Sequence, residues 1–227
     1  MKRNGLSLPL DKFQIASWVL LAYNSFCCFF LGIPNLECSL VYFCSYCTCL
    51  AVTLISGLTC TALDPIDRFS KKFCEIEGAL ESQIYCSVCN MVVSESTKHC
   101  FVCKKCVLSY DHHCRFINNC VGKANYKCFF CLIVSLEVYL AFSILVGCFL
   151  IYRSFERDLE SSKEVVYLFW GFNFLFCCIA LVSNTYLIIF HVFLKLHGMT
   201  TFDYNQRKKT EKPARKTELT TVNIEPK

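Results

Sequence analysis

Four apolar stretches, Ile15–Ile33, Leu40–Ala62, Cys128–Tyr152 and Val165–Leu194, carry a single formal charge among them, Glu137. Each, as a helix rising about 1.5 Å per residue, is long enough to cross a hydrocarbon core of roughly 30 Å. In a soluble protein such helices would have to be wrapped by other residues, and a chain of 227 leaves too few to bury four of them. A content of 55% hydrophobic and 15% aromatic residues is also too apolar for a soluble domain. The prediction is an all-α membrane protein with four transmembrane helices. Lys2 and Arg3 precede the first stretch as they would in a secretory leader, but no small-residue cleavage pattern follows it, so it is expected to remain as an anchor.

The distribution of Lys and Arg predicts orientation, because basic loops stay on the cytoplasmic side. Residues 1–14 hold three, 63–127 nine and 195–227 eight, against none in 34–39 and three in 153–164. The expected order is a cytosolic N-terminus (1–14), helices one and two (15–62), a cytosolic block (63–127), helices three and four (128–196) and a cytosolic tail (197–227). Both termini face the cytosol in this layout. The net charge of +5 sits in loops beside the spans, where anionic headgroups rather than nucleic acid are the expected partner.

Twenty cysteines divide into two populations. Twelve lie in or beside the spans (Cys27, Cys28, Cys38, Cys44, Cys47, Cys49, Cys60, Cys128, Cys131, Cys148, Cys177 and Cys178) and read as small apolar packing residues. Seven of the remaining eight are ordered in the cytosolic block, where disulfides are not expected. Cys86-x2-Cys89 is followed after nine residues by His99-Cys100-x2-Cys103-x2-Cys106, then by Asp111-His112-His113-Cys114 and, after five more residues, by Cys120. This is metal spacing: a C-x2-C turn places two thiolates on one ion, and the rest of a tetrahedral shell comes from farther along the chain. Seven cysteines and three histidines within 35 residues exceed the needs of one site. Two sites take eight ligands and leave two candidates free, which favours two zinc ions plus a reactive thiol over a redox-sensing cluster.

The pattern from Cys86 to Asn125, with Asp111-His112-His113-Cys114, Asn118-Asn119-Cys120-Val121-Gly122 and Asn125, resembles the DHHC-type protein S-acyltransferases (palmitoyltransferases). Asp64-Pro65-Ile66 resembles the family's DPG motif with Ile for Gly, and Thr200-Thr201-Phe202-Asp203 its TTxE motif with Asp for Glu. The opening Arg3-Asn4-Gly5-Leu6-Ser7-Leu8-Pro9-Leu10 and the run Met199–Tyr204 resemble the branch containing vertebrate palmitoyltransferases one and eleven. The resemblance implies four transmembrane helices with a small cytosolic cysteine-rich zinc domain between the second and third. It implies two interleaved zinc sites, Cys86, Cys89, His99 and Cys106 for one and Cys100, Cys103, His113 and Cys120 for the other. Asp111, His112 and Cys114 are left over, and at these positions the family has its catalytic triad.

The implied activity is protein S-palmitoylation: palmitoyl-CoA, the fatty acyl-CoA co-substrate, acylates Cys114, and the acyl group moves to a cytosolic juxtamembrane cysteine of a substrate protein. A neutral thiol is a poor nucleophile, so His112 is expected to take its proton and Asp111 to hold His112 in the right tautomer. The zincs, with four protein ligands each, are expected to be structural. Arg115-Phe116 follows Cys114 where the family usually has Pro-Trp, and Val93-Ser94-Glu95-Ser96 replaces a basic stretch. Arg115 either favours the thiolate or is simply solvated. The alternative function is a zinc-stabilised membrane scaffold or adaptor without acyl transfer.

Glu137, costly in lipid, is expected to be protonated and hydrogen-bonded to Asn184 or Thr185 on the antiparallel fourth span. His191 and His197 read as packed or interfacial histidines isolated from the cysteine cluster. Lys123 and Lys127 read as solvated or lipid-facing rather than as contacts for CoA phosphates. The tail Gln206–Lys227 has too little apolar content to fold and reads as a disordered, lipid-facing segment. Spans of moderate length lean towards the endoplasmic reticulum or Golgi. Asp67–Gln83 has no readable function, and no internal repeat is evident.

Overall fold

The computed structural model describes residues 1–32, 39–67, 83–156 and 164–221. Helix α1, Lys12–Phe26, is capped by Asp11, whose carboxylate accepts the Phe13 N–H, and continues into a π-helical turn, Cys27–Gly32. Helix α2 is Ser39–Ala62, α3 Tyr126–Glu156 and α4 Glu164–Leu196. Four segments, Lys12–Phe30, Leu40–Ala62, Tyr126–Tyr152 and Leu168–Leu196, are long and apolar enough to cross a membrane. They match the expected spans; Ile33 and Cys38 lie outside the described residues.

Helix α3 packs between α2 and α4, and the π-helical turn rests on α3 and α4. The interior there is Cys27, Cys28, Tyr46, Tyr139, Leu140, Val146, Leu150, Trp170 and Cys177. Lipid offers no partner to polar groups, so those on facing helices pair with one another. The Asn24 amide donates to Ser143 Oγ at 3.0 Å, Asn173 donates to Asn24 Oδ1 at 2.9 Å, and the Tyr46 and Tyr139 hydroxyls lie 2.7 Å apart. Glu137 meets both expected partners: Asn184 donates to Oε2 at 2.7 Å and the Thr185 hydroxyl donates to Oε1. Each such bond between spans is worth on the order of 1 kcal/mol.

The cysteine-rich block corrects the all-α expectation, because it is built from three β-hairpins. Strands β1 (Gln83–Cys86) and β2 (Met91–Ser94), β3 (Lys98–Cys100) and β4 (Lys105–Val107), and β5 (His112–Cys114) and β6 (Asn119–Val121) form three separate antiparallel pairs. The expectation of no internal repeat also falls. Cys86, Cys100 and Cys114 open equivalent turns, and Asn90, Lys104 and Asn118, four residues after each, all have positive φ (51°, 54° and 50°). Residues closing the turns are Cys89, Cys103 and Ile117, so the third lacks its second thiol. The similarity lies in backbone conformation more than in residue identity.

The block is tied to the membrane helices by side-chain amides. Asn119 donates to the carbonyls of Cys60, Thr61 and Leu63, at 3.2, 3.2 and 2.8 Å, groups left without helical partners where α2 ends. Asn125 donates to the Cys120 carbonyl at 2.8 Å and accepts from the Gly122 N–H at 3.0 Å just before α3 begins. Cys60, Ile117, Val121, Phe129 and Ile133 form an apolar cluster across the same junction. The N-terminal segment adds a strap. The Gly5 N–H donates to the Thr61 carbonyl at 2.8 Å, and a Cβ on Gly5 would stand 2.0 Å from the Ile117 carbonyl oxygen, so no other residue fits.

Ile66, at the place of the family's glycine, forms an antiparallel bridge with Val107, and Asp64 pairs with the buried Lys105 at 2.8 Å. Beyond α4, helix α5, Thr201–Thr221, runs through the described part of the tail Gln206–Lys227, expected to lack structure; 222–227 lie outside the described residues. Its start explains this: Thr200 caps it, accepting the Asp203 N–H at 3.1 Å, while Asp203 accepts from the Thr200 N–H and hydroxyl at 3.1 and 2.7 Å. Straight-chain Gln, Arg, Lys and Glu then propagate it with low entropic cost.

Candidate functional site

In a β-strand successive side chains point to opposite faces, and this alternation sorts the residues of the block. His99 and Cys106 are register partners on β3 and β4 and face one way; Cys100, next in sequence, faces the other. His113 and Cys120 are register partners in the same sense on β5 and β6. The structure brings Cys86, Cys89, His99 and Cys106 into one group and Cys100, Cys103, His113 and Cys120 into a second, the ligand atoms of each group lying within 4.8 Å of one another. The middle hairpin serves both groups, which is how they interleave.

Both groups have dimensions that suit zinc. With Zn–S about 2.3 Å and Zn–N about 2.05 Å, a tetrahedral shell sets sulfur and nitrogen roughly 3.5 Å apart. His99 Nδ1 stands 3.8, 3.2 and 3.8 Å from the sulfurs of Cys86, Cys89 and Cys106. His113 Nδ1 stands 3.3 and 3.8 Å from those of Cys103 and Cys120. Three thiols and an imidazole form a complete shell for a structural zinc, with no position over for water.

On β5, alternation puts His112 and Cys114 on the face opposite His113. Cys114 belongs to neither group and is half-buried. His112 Nδ1 lies 2.7 Å from Asp111 Oδ1, leaving Nε2 for the thiol. The second Asp111 oxygen accepts the Thr201 N–H at 3.1 Å, at the first turn of α5, where the helix dipole favours a negative group. The TTxE-like run thereby supports Asp111, and its Asp203 closes the cap as a Glu would.

Electrostatics follow from these contacts. Burial pushes the Asp111 carboxyl up, but hydrogen bonds from His112 and Thr201 outweigh it and hold it below its usual value. Burial disfavours charge on His112, but Asp111 and Cys114 outweigh it and raise the imidazole to about 9. The Cys114 thiol is lowered despite its own desolvation, through His112 and through the backbone N–H groups of Ile117 and Phe116. Cys100 receives the corresponding N–H, that of Cys103, at 3.5 Å. Cys114 thus sits in a turn like that of Cys100, with the His112 imidazole as its neighbour in place of a second thiol.

Several neighbours were missed or misplaced by sequence reasoning. His191, expected to be isolated, is buried with its ring 5.8 Å from that of His112 and its Nδ1 3.2 Å from the Tyr126 hydroxyl. Nothing in the local sequence around His191 signals this, since the two histidines meet only when α4 packs beside β5 of the cysteine-rich block. Arg115 is not simply solvated: it pairs with Asp11 at 3.0 Å and lies over the Phe13 ring at 4.3 Å, while Phe116 meets the same ring edge-on. Lys123 and Lys127 are exposed, as expected.

A family model described as DHHC palmitoyltransferase matches residues 79–208, more than half of the chain. The chain belongs to this family of membrane-associated acyltransferases that use acyl-CoA. Comparison with curated proteins yields no match.

Proposed function

We propose that this protein is an active protein-cysteine S-palmitoyltransferase of the branch containing vertebrate palmitoyltransferases one and eleven. One observation carries the reading: Cys114 stands outside both metal-binding groups, on the same strand face as a His112 whose far nitrogen is held at 2.7 Å by Asp111. Residues Cys86, Cys89, His99 and Cys106, and Cys100, Cys103, His113 and Cys120, would hold one structural zinc each. Their role would be to fix the hairpin that bears the thiol.

In the first step the Cys114 thiolate attacks the thioester carbonyl of palmitoyl-CoA, the C–S bond to CoA breaks, and the His112 imidazolium gives its proton to the leaving CoA sulfur. In the second, neutral His112 accepts the proton of a substrate cysteine, that thiolate attacks the acyl-Cys114 carbonyl, and Cys114 leaves as thiolate beside imidazolium. Asp111 stabilises the imidazolium in both steps and takes no proton. A hexadecanoyl chain gains about 0.8 kcal/mol per buried methylene, on the order of 12 kcal/mol in all, which favours a thiol at the boundary between spans and cytosol.

The layout we propose keeps residues 1–14, 63–127 and 197–227 on the cytosolic side of the endoplasmic reticulum or Golgi membrane, where substrate cysteines beside the membrane are within reach. The test is transfer of a labelled fatty acid to the purified protein. We expect a hydroxylamine-sensitive label on the wild type that Cys114→Ser abolishes. No label on a protein that retains two zincs would favour the scaffold reading, for which the replacement of Pro-Trp by an Arg115 engaged with Asp11 is the supporting observation.

A further inference from the structure

Asp111, His112 and His191 form a third group whose ligand atoms lie within 4.8 Å of one another, apart from the two cysteine-rich groups. Two of its members are almost fully buried, Asp111 at 3% and His191 at 1% exposure. We propose that these side chains form a third metal site, at which a divalent transition-metal cation such as Zn2+ binds reversibly and stops acyl transfer. The inhibitory consequence rests on the proposed role of Cys114, whereas the binding does not.

Two imidazole nitrogens and one carboxylate oxygen suit Zn2+ better than Mg2+ or Ca2+, and three ligands leave a fourth position open. Ligand atoms on a tetrahedral zinc stand roughly 3.3 Å apart, so this group needs only small side-chain rotations to close on an ion. The outer contacts of such a site are already in place. Asp111 Oδ2 is held by the Thr201 N–H at 3.1 Å, and His191 Nδ1 by the Tyr126 hydroxyl at 3.2 Å, which leaves His191 Nε2 for the metal. A histidine whose second nitrogen is so engaged is the usual form of a metal ligand.

The site would act through His112. A cation on Nδ1 takes the place of the proton shared with Asp111, and that proton leaves to solvent when the ring starts as imidazolium. The metallated ring keeps its remaining proton on Nε2 and gives it up far less readily than an imidazolium does, so it neither protonates the leaving CoA sulfur nor offers a lone pair to an incoming substrate thiol. With one ligand fewer than the cysteine-rich groups, and no thiolate, this site fills after them and empties before them.

The test uses the full chain in detergent with its first two zincs retained, dialysed against buffers that set free Zn2+ from nanomolar to high micromolar. Bound zinc per chain is measured by mass spectrometry for wild type, Cys114→Ser, His191→Gln and Tyr126→Phe, with autoacylation of the wild type read in parallel. We expect a third equivalent on wild type and Cys114→Ser at micromolar free zinc, with autoacylation falling at the same midpoint. His191→Gln should weaken that equivalent by about tenfold or more, and Tyr126→Phe, which removes only the hydroxyl orienting His191, by about tenfold. Two equivalents in every protein overturns the proposal, as does a third that persists in His191→Gln but is lost in Cys114→Ser, since that ion would sit on the thiol alone. If His191→Gln loses its first two zincs through misfolding, Tyr126→Phe decides, and unchanged binding there overturns the proposal. A third equivalent on a wild type that never acylates would sink the enzyme reading and leave the metal site standing.

Discussion

The second and third hairpins of the cysteine-rich block share a backbone and differ in what their turns enclose. Cys100 opens a turn closed by Cys103, and both join His113 and Cys120; Cys114 opens the equivalent turn, closed by Ile117, and joins nothing metallic. In both, a backbone N–H is directed at the first sulfur, the arrangement that stabilises thiolate. On the proposed function, one conformation serves either a ligand or a nucleophile, and the residue three positions on separates the two. Where the second thiol is present a metal would take the charge; where an isoleucine replaces it, the charge would be left to His112.

The comparison breaks most completely if the second hairpin loses its metal. Cys100→Ser removes one of four ligands from a shell worth about 10 kcal/mol or more, and strands of three residues cannot hold the block without it. We expect at least one zinc to be lost per chain and the block to become protease-sensitive, while helical circular dichroism from the spans is kept. Retention of two zincs would refute the assignment of Cys100 as a ligand.

A sharper form converts the third hairpin into the second. Ile117→Cys supplies the missing thiol, and we expect Cys114 to be captured with it by metal or by oxidation, with autoacylation falling by about tenfold or more, in part restored by reductant and chelator. Full activity in this variant would show that the two turns are less alike than their backbones.

The pH dependence of alkylation probes the charge partner. Cys114 lies below its usual thiol value and His112 at about 9, so between the two the thiolate and imidazolium coexist. The rate of Cys114 alkylation by iodoacetamide should rise with pH through the lowered thiol value, with its midpoint below 9.0, the ordinary thiol value. In Asp111→Asn the imidazolium loses its carboxylate and titrates lower, so the thiolate loses its partner and the rising limb moves up towards the ordinary value. An unmoved limb would assign the effect to the backbone N–H groups instead.

Smaller effects are expected where the block meets the bundle and within the bundle itself. Asn119→Ala takes one donor from three carbonyls at the end of α2, of which that of Thr61 keeps the Gly5 N–H, and should cost about 1–3 kcal/mol, read as a lower melting temperature with both zincs bound. Glu137→Gln keeps a hydrogen-bonding amide opposite Asn184 and Thr185 and should shift stability by about 1 kcal/mol or less. A large loss would mean that Glu137 does more than pack.

Much of this was legible in order along the chain. The four spans follow from apolar length, the pairing of Glu137 with Asn184 and Thr185 follows from counting helix rise from a common end, and the metal-like character of the block follows from C-x2-C spacing. The three hairpins were not legible, because strands of three or four residues have no periodicity to read and metal shells replace the core that would have written one. The helical tail was misread from composition, since a polar helix needs a cap and good helix formers rather than an apolar face. The repeat went unseen because its third copy keeps the turn and drops the thiol that marks it.

By itself, the sequence determined that the chain crosses a membrane and that one block of it has the donor types a metal requires, since length, polarity and thiol spacing are properties of neighbouring residues. Only the tertiary structure decided which side chains share a site: His191 beside His112, Asp11 on Arg115, Gly5 under Ile117 and the Thr201 N–H on Asp111. Those meetings join residues far apart in the chain, and they depend on how helices and hairpins pack, which no local pattern encodes.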